Sequence, residues 1–427
     1  MTRVQPVNAA RTAPGPNGGA EEVQFHEIEL NAAPDAILAQ LIHAAIIAGA
    51  SDLFIATNED DVDVTIRSLG IVKPLASLSR ETGVRCIVCL RNLAGMKLDE
   101  HRRPMDGRGR YHLPDGRWVD LRISSIPTLH GESMAVRLLM HATSLAKLDA
   151  LGFVGPQLGL VEGILDNSGG LILVTGPTGS GKTTTLYSFL HYLNDGRRKI
   201  HTLEDPIEYS VRGLHQTQVS TVQGMDFADM LRGVVRQNPD VIMVGELRHP
   251  LAVETAIRAA NSGQLVFASL HSAVAASALQ SMSCFGAPPY FLATSLIAII
   301  GQRLMRTLSP EARVPLNLSL APHTFDEVRE YLPQDHVCTV YAANSHGELD
   351  EGYVGLSGLF EIMMVSPTLR KFISEGRPAS DIARRAMEEG MIDFRRAALI
   401  KVAQGITSFD EMQRTLPNIE EALLSES

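Results

Sequence analysis

The stretch Gly176-Pro177-Thr178-Gly179-Ser180-Gly181-Lys182-Thr183 constrains this chain more than any other feature. It follows the apolar run Leu171-Ile172-Leu173-Val174 and opens residues 184–193, which can be helical. Strand, glycine loop and helix in that order form a phosphate-binding loop. The glycines let backbone N–H groups turn toward a polyphosphate, and the helix start adds partial positive charge. In such a loop Lys182 reaches the β- and γ-phosphates, while the Thr183 hydroxyl is a ligand for Mg²⁺. Thr184 completes the set of phosphate-binding residues. A glycine turn without a ligand is the bland alternative, and the strand–helix context argues against it. The chain is expected to bind a nucleoside triphosphate.

A length of 427 residues allows two or three domains, each with a core. Hydrophobic residues make up 45% and charged residues 20%, as in an ordinary globular protein. The formal charge of −10 argues against a chain whose main work is gripping nucleic acid. The four cysteines, Cys86, Cys89, Cys284 and Cys338, suit a reducing compartment better than a disulfide framework. No apolar core marks a signal peptide at the N-terminus. The apolar stretches at 36–50 and 292–300 are too short or too interrupted to cross a bilayer.

Residues 1–22, rich in Ala, Pro, Gly and Asn, read as a disordered tail. A domain over 23–141 follows: a helical pattern at 28–49, then β-like runs at 52–56, 62–68, 108–112, 117–126 and 133–139. A helix at 83–96 sits among them, so this domain is α+β. Residues 142–151 read as a linker. Over 152–307, apolar strands at 171–175, 199–204, 241–246 and 264–270 alternate with helical patterns, which implies an α/β core on a parallel sheet. The stretch 308–355 reads as loop, and 356–427 as a helical C-terminal region.

A triphosphatase needs acidic groups near the γ-phosphate, to hold Mg²⁺ and to position water. Two candidates lie at strand ends, where open α/β sheets place their sites. One is Glu204-Asp205-Pro206, which also reads as a turn or cap. The other is Glu246, closing the run at 241–244. His271 ends a further strand, where it either senses the γ-phosphate or serves as an ordinary structural histidine.

Together these elements resemble a known family. Gly176 to Thr183, Thr202-Leu203-Glu204-Asp205-Pro206-Ile207-Glu208-Tyr209, Arg236-Gln237-Asn238-Pro239-Asp240 with the run through Gly245-Glu246, and Leu270-His271 look like the secretion ATPases. The chain is similar to the hexameric motors of type II secretion and type IV pilus assembly, from about residue 50 to 416. The resemblance implies a RecA-like core and a PAS-like N-terminal domain. It places Glu204 and Asp205 in an acidic box, with the glutamate as water-activating base. It places Glu246 in a Walker B element that holds Mg²⁺, and His271 in a histidine box coupled to nucleotide state. In the N-terminal domain it implies that Arg122 and Arg137 reach the phosphates of a neighbouring subunit. Arg232, Arg236 and Arg248 are weaker candidates for phosphate or subunit contacts. The implied activity is ATP hydrolysis by a homo-hexamer at the inner face of the cytoplasmic membrane. It would act through an inner-membrane platform protein to assemble a pilus or pseudopilus. Retraction, another secretion motor, a nucleic-acid translocase and a non-hydrolysing scaffold are the alternatives.

The sequence also departs from that family. Most assembly motors carry a tetracysteine zinc loop after the core. The corresponding stretch here lacks the ligands, and Cys338 alone cannot build a four-ligand site, so no zinc is expected. Cys86 and Cys89 sit in an apolar helical pattern and read as structural. Gln264 stands where the family has an upstream histidine, and His249 where an aspartate follows the Walker B arginine. The large extra N-terminal docking module is not seen.

Overall fold

The computed structural model describes residues 12–14, 20–22, 32–113, 116, 118–140, 145–219, 227–316, 323–332, 340–344 and 352–416. The chain divides into two compact units, residues 1–143 and 144–427.

In the first unit a short pair, β1 (Thr12–Pro14) and β2 (Ala20–Glu22), runs antiparallel. Within the stretch expected to be a disordered tail, these two segments satisfy each other's backbone groups; its other residues lie outside those described. Then come α1 (Pro34–Ile47), β3 (Ala50–Thr57), β4 (Asp61–Ser68), β5 (Ile71–Ser79), α2 (Arg80–Leu93), β6 (Met105–His112), β7 (Trp118–Thr128) and β8 (Gly131–Met140). The six strands β3 to β8 form an antiparallel sheet in the order β5-β4-β3-β8-β7-β6. Alternation along them turns Leu53, Ile55, Val64, Leu121, Ile123, Met134 and Val136 toward α1 and α2, where Leu41, Cys86 and Leu90 complete the core. Arg122, Ser124, Ala135 and Arg137 therefore lie on the opposite face. The sequence pattern overlooked β5, because Pro74 interrupts it. Proline lacks a ladder N–H and is tolerated there because β5 is an edge strand.

The second unit starts with buried Leu148 and Leu151 around a 3₁₀ turn, within the stretch expected as linker; residues 142–144 lie outside those described. Next are α3 (Gln157–Leu165), β9 (Gly170–Thr175), α4 (Lys182–Leu193), β10 (Ile200–Glu204), β11 (His215–Gln218), α5 (Phe227–Val235), β12 (Val241–Val244), α6 (Pro250–Asn261) and β13 (Leu265–Leu270). They are followed by α7 (Ser277–Cys284), α8 (Pro289–Ser295) and β14 (Leu296–Leu308), then β15 (Arg313–Leu316), β16 (Val340–Ala343) and β17 (Tyr353–Met364). Helices α9 (Pro367–Ser374), α10 (Ala379–Glu388), α11 (Phe394–Ala403) and α12 (Phe409–Thr415) close it.

Seven strands form one sheet, β11-β10-β12-β13-β9-β14-β17, with every neighbouring pair parallel except β14 with β17. All six residues of β9 are buried, as are those of β12 and β13. Burying one such aliphatic side chain is worth about 1.5–3 kcal/mol, so these continuous apolar runs fix the sheet centre.

Two expectations change here. Residues 308–355 are not loop throughout: β15 pairs with β16. The region from 356 is not helical from its start, since β17 runs through Met364 against β14. Strand β17 carries three glycine or serine positions among its first six residues, Gly355, Ser357 and Gly358, which masks its period. Its ladder with β14 supplies the order that local propensity does not.

Candidate active site

Strands β9, β10, β12 and β13 end at the same edge of the sheet. In register, Leu203 lies beside Val244, Val244 beside Ala268, and Leu270 beside Thr175. The residues that follow each strand therefore emerge together: Gly176 after β9, Glu204 closing β10, Glu246 just past β12, and His271 after β13. A side-chain pin locks two of these exits. Thr175 Oγ1 donates to the Ser272 carbonyl at 3.1 Å and accepts from the Ser272 N–H at 2.9 Å. Nothing in the sequence singles out either partner.

The glycine loop spans Gly176 to Thr183 and leads into α4. Gly176, Gly179 and Gly181 have φ of 155°, 79° and 87°, which a side chain would strain. A Cβ on Gly176 would also fall 2.2 Å from the Gln302 carbonyl. Gly181 is the N-cap of α4 and offers no side chain, so the first N–H groups of the helix keep no intrahelical acceptor. Thr183 and Thr184 are exposed beside them, while the buried Ser180 hydroxyl has no hydrogen-bond partner. Pro177 and Thr178 complete the turn. Free helix N–H groups, an orphan hydroxyl and a cradle closed to Cβ atoms fit an anionic phosphate group. The exposed Thr183 hydroxyl supplies an oxygen of the kind Mg²⁺ takes.

Lys182 is 9% exposed and folds back, donating to the carbonyls of Gly176 at 2.7 Å and Pro177 at 3.0 Å. Burial pushes its ammonium below the usual lysine range, and Glu246 partly offsets this. His271 bridges the two: its Nδ1 lies 3.4 Å from Lys182 Nζ, and its Nε2 lies 3.2 Å from Glu246 Oε1. Lys182 can only donate and a carboxylate can only accept, so these partners assign the proton to Nε2. Arg248 holds the other oxygen of Glu246 at 2.7 Å. Burial pushes the Glu246 carboxyl upward, yet Arg248 and His271 outweigh it and keep the group below its ordinary range. Lys182, His271, Glu246 and Arg248 thus form one line of alternating partners.

Glu204 stands differently. It is 3% exposed, and its oxygens accept from Tyr187 at 2.6 Å, Thr202 at 2.6 Å and Gln216 at 3.3 Å. Tyr187 sits on the second turn of α4, and Gln216 on the edge strand β11. Burial and the Glu204 hydrogen bond push the Tyr187 phenol well above its usual range. Asp205 precedes Pro206 in a cis peptide bond and is exposed. Sequence reasoning missed Tyr187 and Gln216, whose link to Glu204 exists only in the fold. Arg232 pairs with Asp229 on α5, and Arg236 is exposed.

In the first unit, register places Arg108, Arg122, Arg137, Asp52 and Arg67 in one row across β6, β7, β8, β3 and β4. Asp52 takes Arg137 at 3.1 Å and Arg67 at 3.7 Å, and Ser51 donates to it at 2.8 Å. Asp52, Asp106, Arg108, Arg122, Ser124 and Arg137 help line a cleft of about 430 Å³. Like charges directly opposite across strands are destabilising. The row itself holds four guanidinium groups and one carboxylate, and Asp106 also lines the cleft, so positive charge predominates on this face.

Over residues 30–414 the chain matches the family described as Type II/IV secretion system protein. It belongs to that family. It is 38% identical over 376 residues to the type IV pilus assembly ATPase PilB of Pseudomonas aeruginosa, covering 87% of this chain and 65% of that protein. It is 35% identical over 404 residues to the type II secretion system ATPase E of Vibrio cholerae, covering 92% and 78%. The chain thus spans about 65% of the length of the pilus relatives from Pseudomonas aeruginosa and Acinetobacter baylyi. The solved ATPase DotB of Legionella pneumophila superposes with a TM-score of 0.65 at 19% identity, over 89% of this chain and 95% of that one. The pilus retraction motor PilT with bound ADP superposes at 0.58 and 24% identity, over 90% and 98%. These two share its fold: a mixed α/β, RecA-like P-loop core.

The residues expected to depart from the family's pattern are placed as follows. Gln264 precedes β13 with a buried Oε1 that has no partner, and His249 is the N-cap of α6 without a capping side-chain bond. Cys86 is buried on α2, where burial first and Cys89 second push its thiol up to about 11, the signature of an inert side chain. Among the described residues no cluster of three or more His, Cys, Asp or Glu is placed to hold a metal ion. Cys338 lies outside the described residues.

Proposed function

We propose that this chain is a Mg²⁺-dependent ATPase that works as a homo-hexamer and drives assembly of a type IV pilus or type II pseudopilus through an inner-membrane platform protein. The observation that carries this reading is the line Lys182–His271–Glu246 at the mouth of the glycine loop. It sets a cation, a proton-bearing ring and a carboxylate around one anion-binding helix start. The names of the relatives, pilus assembly ATPase and type II secretion ATPase, support the choice of process.

In this account the N–H groups of the glycine loop bind the phosphates, and Lys182 exchanges two carbonyl acceptors for β- and γ-oxygens. Thr183 and Glu246 would hold Mg²⁺, which when bound neutralises charge building on the phosphates. Glu204 takes the proton of the attacking water and exchanges its Tyr187 and Thr202 partners to do so. His271 responds to the γ-phosphate because both neighbours of its ring change contacts there. Arg122 and Arg137 serve a neighbouring subunit's nucleotide, with Asp52 as the group Arg137 leaves. Among the described residues no helix is long and apolar enough to cross a membrane, so we propose attachment at the inner face of the cytoplasmic membrane through the platform protein.

ATP turnover by the purified chain with Mg²⁺, compared with Lys182→Ala, tests the chemistry; equal rates would refute it. A pull-down from native membranes tests the process. Recovery of a pilus or secretion platform protein supports it, and its absence from every crosslinked complex counts against it.

A further inference from the structure

The loop that carries His271 is gripped from behind by residues that nucleotide chemistry does not explain. Glu361 lies on β17 opposite Gly301 of β14 and is 4% exposed. A Cβ on Gly301 would fall 2.7 Å from Glu361 Cγ, so that glycine makes the room for the carboxylate. Glu361 Oε1 accepts from the N–H of Ala275, four residues beyond His271. The backbone N–H of Phe394, the first residue of α11, also favours the charged form of the carboxylate. That donor belongs to the helix start, where a negative charge is favoured.

Arg303, two residues along β14 from Gly301, grips the same loop from its other side. Its guanidinium donates to the Ala273 carbonyl at 3.3 Å and to the Thr415 carbonyl at 3.4 Å, and lies 5.5 Å over the Phe394 ring. At the front, Ser272 is pinned to Thr175 below the glycine loop. Beyond its local bonds to Ser277 and Ser281 of α7, the loop is anchored by the phosphate-loop strand, Arg303 and Glu361. Two of them belong to elements that also hold α11 and α12.

We propose that Glu361 is a positioning residue for ATP turnover: it ties the His271 loop to the start of α11, and its charge sets how His271 stands between Lys182 and Glu246. This rests on the reading of that edge as an ATPase site. A buried carboxylate is costly unless its partners compensate, and an apolar side chain of similar volume would hold a core more cheaply. Burial pushes Glu361 up to about 7, with Asp393 adding to the push, while Ala275, Phe394 and Arg303 oppose it. The group thus changes charge near neutral pH. Asp393, the N-cap of α11, and Arg303 on β14 are the charged groups that face it, and the loop side presents the Ala275 N–H.

The test uses the full chain with Glu361→Gln, which keeps an acceptor oxygen and removes the charge, and Glu361→Ala. In Glu361→Gln, kcat should fall about tenfold with KM within about twofold, because the defect is in placement rather than affinity. Wild-type kcat should decline as pH falls through about 7, and Glu361→Gln should lack that limb. A Glu361→Gln enzyme with wild-type kcat and the same limb overturns the proposal. Amide exchange without nucleotide gives a readout independent of turnover: in Glu361→Ala the amides of Ala275 and Phe394 should exchange at least about tenfold faster. Unchanged exchange there also overturns it. If wild type and Lys182→Ala turn over alike, the ATPase reading fails by itself, and the exchange result still decides whether Glu361 grips the loop.

Discussion

Two charged regions of this chain obey opposite rules. At the edge of the parallel sheet, charges come in alternation: Lys182, His271, Glu246 and Arg248 form one line, and Glu204 is held by three donors. On the open face of the antiparallel sheet, register sets Arg67, Arg108, Arg122 and Arg137 in a row with Asp52. The first region is balanced and shaped, as a site must be before its substrate arrives. The second carries excess positive charge across neighbouring strands, an arrangement that gains when an anion approaches. On the proposed reading, the first region would bind and cleave the nucleotide, and the second would supply charge to a neighbouring subunit's site.

The largest effect should come from breaking the balanced region. Lys182→Ala is expected to lower ATP turnover by about 10²–10³-fold, since it removes the glycine-loop cation that on this reading meets the β- and γ-phosphates. Steady-state phosphate release checks it. Glu204→Gln should cost about 10²-fold in kcat while leaving the melting temperature close to wild type. Glutamine keeps one acceptor oxygen for Tyr187 or Thr202, and its amide can donate to the other hydroxyl, so a large loss of stability would mean that Glu204 serves the fold instead. Replacing the pin residue, Thr175→Val, leaves the Ser272 N–H without its acceptor and should cost about 1–3 kcal/mol in chemical denaturation.

A smaller effect concerns pH. Glu246 is held below its ordinary carboxyl range of about 4.5 by Arg248 and His271, against the upward push of burial. Because the folded value is depressed, its contribution is present above the unfolded value and lost as pH falls through the folded one. The melting temperature of the wild-type chain should therefore drop more steeply below about pH 4.5 than that of Glu246→Gln. Parallel curves would contradict the pairing.

How much of this was legible in the sequence follows from range. The glycine loop announces itself because its chemistry is contiguous, and the central strands because they are apolar throughout. Strands β5 and β17 escape notice, one interrupted by Pro74 and the other diluted by Gly355, Ser357 and Gly358, since both draw their order from ladder partners. The same limit applies to the site. Glu204, Glu246 and His271 stand out as polar residues ending apolar runs. Tyr187, Gln216, Thr175 and Glu361 do not, because each acts on a residue at least 12 positions away. The arginine row is intermediate: its residues are visible in the sequence, but only strand register aligns them.

The comparison between the two regions stands or falls on Arg137. The direct measurement is ATP affinity and kcat of Arg137→Ala in the assembled oligomer. The account predicts a kcat lowered at least about tenfold with a nucleotide Kd within about twofold, because the guanidinium acts on charge that develops during the reaction. A wild-type kcat, or a loss confined to affinity, would contradict it.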